Sequence, residues 1–229
     1  MTTISKALQA VQARIQRAAT QCARSPESIA LIAVSKTVSA DALRIAYACG
    51  QRAFGESYVQ EALPKIAALQ DLAIEWHFIG PLQSNKTKLV AQNFAWVHSV
   101  ERAKIAQRLS EQRPEGLPPL NVCLQVNVSG EASKSGAAPA EVVALAQAVA
   151  TLPKIKLRGL MAIPQATDDV SKQRAQLRLL RDLRDQLNAQ GLALDTLSMG
   201  MSDDLEVAIA EGATLVRVGS AIFGEREKA

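Results

Sequence analysis

Short apolar runs alternate with longer stretches of helical spacing along nearly the whole chain. Residues 29–34 form an unbroken apolar run, the signature of a strand buried on both faces. Short strand-like runs, several interrupted by a polar residue, recur at 52–56, 75–79, 94–100, 120–128, 157–163, 195–199 and 214–218. Between them, helical periodicity covers residues 39–49, 57–70, 84–92, 101–112, 139–150, 168–189 and 203–211. A leading segment, 4–22, sets Ile4, Leu8, Val11, Ile15 and Cys22 at helical spacing with Lys6, Arg14 and Arg17 elsewhere around the wheel. Breakers punctuate the pattern: Ser25-Pro26-Glu27 before the first strand, Gly50 at a helix end, Gly80-Pro81 after the third strand. The densest breaker cluster, Pro114, Gly116 and Pro118-Pro119, reads as a loop, because the strand–helix rhythm continues unchanged beyond it. Eight strands, each followed by a helix or a helix start, predict a (β/α)8 TIM barrel with an additional N-terminal helix. Residues 1–229 are read as one domain.

Composition narrows this little. The chain is 48% hydrophobic, with Ala, Leu and Val dominating and only 3% aromatic residues, which suits helices packed on parallel strands. A net charge of +4 permits acidic or phosphorylated ligands but falls short of a nucleic-acid footprint. Arg174, Arg178, Arg181 and Arg184 make a row on the longest helix, but interleaved with Asp182 and Asp185 they read as a solvated face. Three scattered cysteines without a CxxC argue against a disulfide framework and a cysteine zinc site, and fit a reducing cytosol. His77 and His98 have no ligand spacing, so no metal is expected. No segment reads as a signal core or membrane span, which gives the expectation of a cytoplasmic protein.

The chemistry clusters at strand ends. Lys36 follows the first apolar run, where a barrel places its reactive groups; there a low dielectric disfavours the ammonium and favours an amine nucleophile. The structural alternative is a snorkelling lysine. Barrels commonly hold a ligand phosphate on the loops after strands seven and eight. Here those loops are Ser198-Met199-Gly200-Met201-Ser202-Asp203-Asp204 and Arg217-Val218-Gly219-Ser220, with hydroxyls, glycines and two helix starts. Helix capping by Asp203 and Glu206 is the competing explanation of the first. Arg217, in the last apolar run, is expected at the barrel mouth or against a buried carboxylate. Beneath a pyridine ring it would donate to the ring nitrogen and weaken the ring as an electron sink. Glu56, His77, Asn85, Lys86 and Lys134 are further candidates, each with an ordinary alternative: a helix cap, a core histidine, a helix start or a solvated loop.

Taken together, Ala33-Val34-Ser35-Lys36, Phe54-Gly55-Glu56-Ser57-Tyr58-Val59-Gln60-Glu61, His77-Phe78-Ile79-Gly80 with Gln83 and Asn85-Lys86, Ser198-Met199-Gly200-Met201-Ser202, and Arg217-Val218-Gly219-Ser220 with Phe223-Gly224 resemble the pyridoxal-phosphate homeostasis protein family. Its fold is similar to the barrel domain of alanine racemase, and the resemblance runs from about residue 4 to about residue 226. It implies that Lys36 holds pyridoxal 5'-phosphate as a Schiff base. It further implies that Ser202, Gly219 and Ser220 hold the phosphate, that Arg217 faces the pyridine nitrogen, and that Met201, Asn85 and Ser57 complete the cofactor site. The family usually carries Asn where this chain has Ser57, so a contact by that amide is shortened or lost.

Two functions follow as expectations. One is a protein of intracellular pyridoxal-phosphate homeostasis, a monomer that holds the cofactor without substantial turnover and serves apo-enzymes dependent on it. The other is a weak amino-acid racemase. Alanine racemases add a β-rich domain supplying a catalytic tyrosine across a dimer; here the sequence stops soon after the eighth strand, and its only tyrosines are Tyr47 and Tyr58. This favours the first. An aldolase forming a Schiff base with a phosphorylated substrate would use the same lysine and phosphate cradle.

Overall fold

A computed structural model describes residues 2–131 and 134–224; Met1, residues 132–133 of the expected polar loop and the last five residues of the expected domain lie outside the described residues. Strands β1 (Ala30–Val34), β2 (Ala53–Glu56), β3 (Glu75–Phe78), β4 (Trp96–Val100), β5 (Leu120–Gln125), β6 (Ile155–Met161), β7 (Thr196–Ser198) and β8 (Leu215–Val218) pair in parallel. They form a closed barrel in sequence order. The helices are α1 (Thr3–Gln21), α2 (Ala40–Ala48), α3 (Val59–Ala68), α4 (Thr87–Asn93), α5 (Ala103–Gln112), α6 (Val142–Ala150), α7 (Val170–Ala189), α8 (Leu205–Ala210) and α9 (Ser220–Phe223). The fold is the expected (β/α)8 barrel. Among the described residues no helix is long and apolar enough to cross a membrane.

The element bounds depart from the apolar pattern where polar residues pair as strand. β6 starts at Ile155 because its early residues pair with β5, Leu120 opposite Ile155 and Asn121 opposite Lys156, although Lys156 and Arg158 break the apolar run. β5 ends at Gln125; beyond it the Val126 amide still reaches the Met161 carbonyl at 2.8 Å, and Val126 forms an isolated bridge to Ala137.

α1 buries Leu8, Val11, Ile15, Ala18 and Ala19 and packs on the side of the barrel, against α2, α8 and α9. Thr2 caps it, its hydroxyl accepting from the Ser5 amide. The main hydrophobic core lies between strands and helices, with Leu43, Val90, Leu109, Leu177 and Leu180 among its helical members. A separate small cluster holds Trp96, Cys123 and Met161, with Ala95 and Leu215 packed on it. Beside it run buried polar side chains: His77, His98, Ser198 and Arg217. A barrel interior this polar needs internal partners for every donor and acceptor, and those partners lead to the site.

Candidate cofactor site

Lys36 occupies a tight turn directly after β1, closed by the Val38 amide on the Ser35 carbonyl at 3.0 Å. Thr37 in that turn has φ of +65°, a costly conformation for a β-branched residue that the surroundings must impose. They do so from α3. The Lys65 ammonium donates to the Ser35 carbonyl at 2.7 Å, to Glu56 Oε1 at 2.9 Å and to Glu61. Glu61 also accepts from the Thr37 amide, and the Ser35 hydroxyl donates to Glu56 Oε1 at 2.6 Å. Glu56 is fully buried, and burial pushes its carboxyl above the usual range against the pull of Ser35 and Lys65. The turn that presents Lys36 is thus clamped from below by a buried ion cluster. Glu56, read as facing the mouth or capping a helix, belongs to this clamp.

Across the strand ends, Gly200 follows β7 at φ +96°, with Ala208 only 2.7 Å from where a Cβ would stand. Its carbonyl accepts the Arg217 amide at 2.9 Å, which fixes the β7 loop to β8. Asp204, not Asp203, is the N-cap residue of α8, and its carboxylate accepts the Met201 amide at 2.6 Å. From α1, Arg14 donates to the Ser202 carbonyl at 2.9 Å and forks onto Glu206. α9 begins at Ser220 with Gly219 as its N-cap, so the unpaired amides of a helix start lie at the edge of the same space.

These pieces enclose a cavity of about 290 Å3 lined by Lys36, Ser57, Met201, Ser202, Arg217, Gly219 and Ser220, with Val34, Ile79, Ile163 and Asp203. Seven of the eight residues expected from the sequence come together here. Asn85 does not. It is exposed on the turn Ser84–Lys86 that leads into α4, away from the cavity lining. Lys86 lines a neighbouring hollow with Tyr58 and Gln83, and Lys134 lines another with Glu101 and Arg102. Gly80 lets the third strand's loop touch the second's: a Cβ there would stand 2.2 Å from the Ser57 carbonyl oxygen.

Arg217 is buried, donating to Ser198 Oγ at 2.7 Å and to the Ala162 carbonyl at 2.9 Å. Burial pulls its pKa down to about 10, opposed by Asp204, which leaves it charged at neutral pH. Asp204 is itself pushed up by burial. His77 is a core residue, donating or accepting between Glu75 and His98 rather than lining the cavity. No group of three or more His, Cys, Asp or Glu side chains is placed to hold a metal among the described residues.

The donor set fits a small phosphorylated aldehyde with a ring acceptor: an amine, a phosphate-sized cradle of hydroxyls and amides, and a guanidinium at the base. The relatives of the chain agree. The alanine racemase N-terminal domain model matches residues 7–227. The pyridoxal phosphate homeostasis protein of Pseudomonas aeruginosa is 62% identical over 227 residues, covering 99% of this chain and 97% of that one. The chain belongs to the pyridoxal phosphate homeostasis protein family. The family member from Escherichia coli is 52% identical over 230 residues, with 99% and 98% covered. Among solved structures, PipY of Synechococcus elongatus with PLP bound superimposes with a TM-score of 0.86 at 38% identity, covering 96% of this chain and 100% of that chain.

Sequence reading missed the clamp of Lys65, Glu61 and Ser35 beneath Lys36. A signal was present: Lys65 falls three residues after Ala62 and four before Leu69, on the buried stripe of α3.

Proposed function

We propose that this protein binds pyridoxal 5'-phosphate through Lys36 and holds it for delivery, without substantial turnover of its own. The observation that carries this is one cavity joining Lys36, Arg217 and the Ser202–Gly219–Ser220 cradle. When bound, the cofactor supplies an aldehyde for amine exchange and a ring that can act as an electron sink. The protein's residues divide the work around it. Ser202, Gly219 and Ser220 take the phosphate with hydroxyls and helix-start amides. Lys36 presents its amine from the clamped turn. Arg217 would donate to the ring nitrogen and, being cationic, would withhold the proton that strengthens the ring as a sink. Ser57 and Met201, which line the same cavity, would stand beside the cofactor, Ser57 reaching less far than an amide would.

The carrier reading is favoured over racemisation by the lining itself. Racemisation needs a proton carrier on each face of the substrate. Besides Lys36, the described lining offers only Asp203 as an acid or base, and it is exposed; neither tyrosine lines the cavity. We read residues 1–229 as one domain, a monomer of the cytoplasm, where the free and exposed Cys49 suits reducing conditions. Recipients would be apo-enzymes that depend on pyridoxal phosphate.

The test is an α-proton exchange assay with the loaded protein and alanine in heavy water, beside a transfer assay to an apo-enzyme. The carrier reading expects exchange no faster than free cofactor gives, together with reactivation of the apo-enzyme. Exchange at enzymatic rates would replace it with the racemase reading.

A further inference from the structure

The buried polar side chains inside the barrel form one continuous hydrogen-bonded chain. Arg217 Nη1 donates to Ser198 Oγ at 2.7 Å; Ser198 Oγ lies 2.8 Å from His98 Nδ1; His98 Nε2 lies 3.0 Å from His77 Nδ1; His77 Nε2 lies 2.9 Å from Glu75 Oε1. Glu75 is the first residue of β3, at the opposite barrel mouth from the Lys36 cavity, and its side chain is half exposed. The links join β3, β4, β7 and β8, so the chain crosses the barrel from one mouth toward the other.

Its ends fix its direction. A guanidinium can only donate and a carboxylate can only accept. Ser198 Oγ therefore accepts from Arg217 and gives its own hydrogen to His98 Nδ1. His98 then carries its proton on Nε2 and donates to His77 Nδ1, and His77 carries its proton on Nε2 and donates to Glu75. Every link has one donor and one acceptor with both rings neutral. Burial lowers both histidines, His98 further by His77 and Arg217, and the His77 bond holds Glu75 below the usual carboxylate range.

Arg217 is held on one side by this chain through Nη1 and on the other by the Ala162 carbonyl, which accepts from Nη2 at 2.9 Å. Trp96 stacks on His77 with ring centroids 5.5 Å apart, and Arg158 lies over Trp96 at 4.7 Å, forked onto Asp195. Cys123 is pushed up to about 12 by burial and stays a neutral thiol. Asp204 is the acidic neighbour of Arg217 on the cavity side.

We infer that Ser198, His98, His77 and Glu75 are positioning residues: a one-way hydrogen-bond chain, anchored by a carboxylate at the far mouth, that sets the orientation of Arg217 toward the bound cofactor. The chain does not deliver protons, because Arg217 cannot accept one. It acts by fixing one face of the guanidinium and by placing a distant negative charge in series with it. This rests on the pyridoxal-phosphate reading of the cavity for its consequence, and on bond geometry alone for its existence.

Two measurements test it. Nitrogen-15 NMR of the protein without cofactor reads each ring directly: both histidines are expected neutral with the proton on Nε2 at pH 7. A proton on Nδ1 of either ring, or an imidazolium, would overturn the chain. The second compares Glu75→Gln with Asp195→Asn, which removes the same charge from the same mouth outside the chain. The amide oxygen introduced by Glu75→Gln still accepts from His77, so only the charge is lost. In Glu75→Gln loaded with pyridoxal phosphate, the pH midpoint of the cofactor band is expected to fall by about half a unit, since a more positive site disfavours protonation. Asp195→Asn, which lies outside the hydrogen-bonded chain, is expected to shift it clearly less. Equal shifts in both, or none, refute the positioning role. No cofactor band in any of the proteins, wild type included, would instead sink the pyridoxal-phosphate reading.

Discussion

Lys65→Met isolates what the clamp beneath Lys36 contributes. Met keeps most of the apolar stem, so packing changes little. The substitution removes the donor to Ser35, Glu56 and Glu61. Glu56, fully buried, is left with the Ser35 hydroxyl as its remaining partner, and its second oxygen has no partner even now. Breaking one side of a buried ion pair costs about 3–5 kcal/mol. In a chain of this size that corresponds to a fall in Tm on the order of 10 °C. The sign with pH is fixed by the direction of the Glu56 shift. A carboxyl whose folded pKa lies above its unfolded value destabilises the fold at high pH, and the penalty disappears as pH drops below the unfolded value. Losing Lys65 raises that folded pKa further, so the gap between variant and wild type widens from pH 5 to pH 8. Urea unfolding at both values measures it, and Lys65→Met with Glu56→Leu is expected to recover most of the loss. A loss below about 1 kcal/mol, or one that does not change with pH, refutes the reasoning. Cofactor affinity should fall in step, because the turn at Thr37 loses the contacts that impose its conformation.

Three other outcomes follow from the geometry. Arg14→Ala should weaken pyridoxal-phosphate binding about tenfold while costing at most about 1 kcal/mol of stability, since it supports the Ser202 carbonyl from an exposed ion pair; a fluorescence titration giving wild-type affinity would contradict it. Acidification from pH 7.5 to 5.5 should lower stability. The two buried histidines stay neutral while their unfolded counterparts take up protons below about 6.5, at about 1.4 kcal/mol per pH unit for each, partly offset by the raised Glu56 and Asp204 carboxyls. Denaturant curves that are flat or rising toward acid would contradict this. Gly80→Ala should cost about 2–3 kcal/mol and shift Ser57, because the new methyl meets the Ser57 backbone; a Tm equal to wild type would show that the loop yields freely.

The barrel was legible because short strand-like runs and helical stretches alternate in a steady rhythm, even where Glu56, His77, His98 and Arg217 interrupt the apolar pattern. Lys36, Ser202, Arg217, Gly219 and Ser220 were legible for a related reason: strand ends and the loops after them are neighbours in space in any such barrel, whereas Ser57 and Met201 were expected only from the family resemblance. Asn85 broke this rule, since it follows β3 by several residues and rides out on the start of α4. What stayed hidden depended on contacts across the barrel. His77 and His98 sit 21 residues apart on adjacent strands, and Ser198 lies a further 100 residues on; no periodicity links them. Lys65 and Glu61 look like any exposed i, i+4 pair until Glu56 is seen beneath them. The arginine row of α7 shows the same limit. Its heads are partly solvated, as expected, yet Arg174, Arg178 and Arg181 converge on one buried acid, Glu211.

The proposed function turns on Lys36 being the amine that holds the cofactor. Borohydride reduction of the protein loaded with pyridoxal phosphate, followed by peptide mapping, tests this at the atom concerned. Loss of the band at about 420 nm and a stable adduct on the peptide carrying Lys36 are expected, and Lys36→Ala is expected to show neither the band nor the adduct. An adduct on Lys65, Lys134 or another lysine, or none at all, would contradict it.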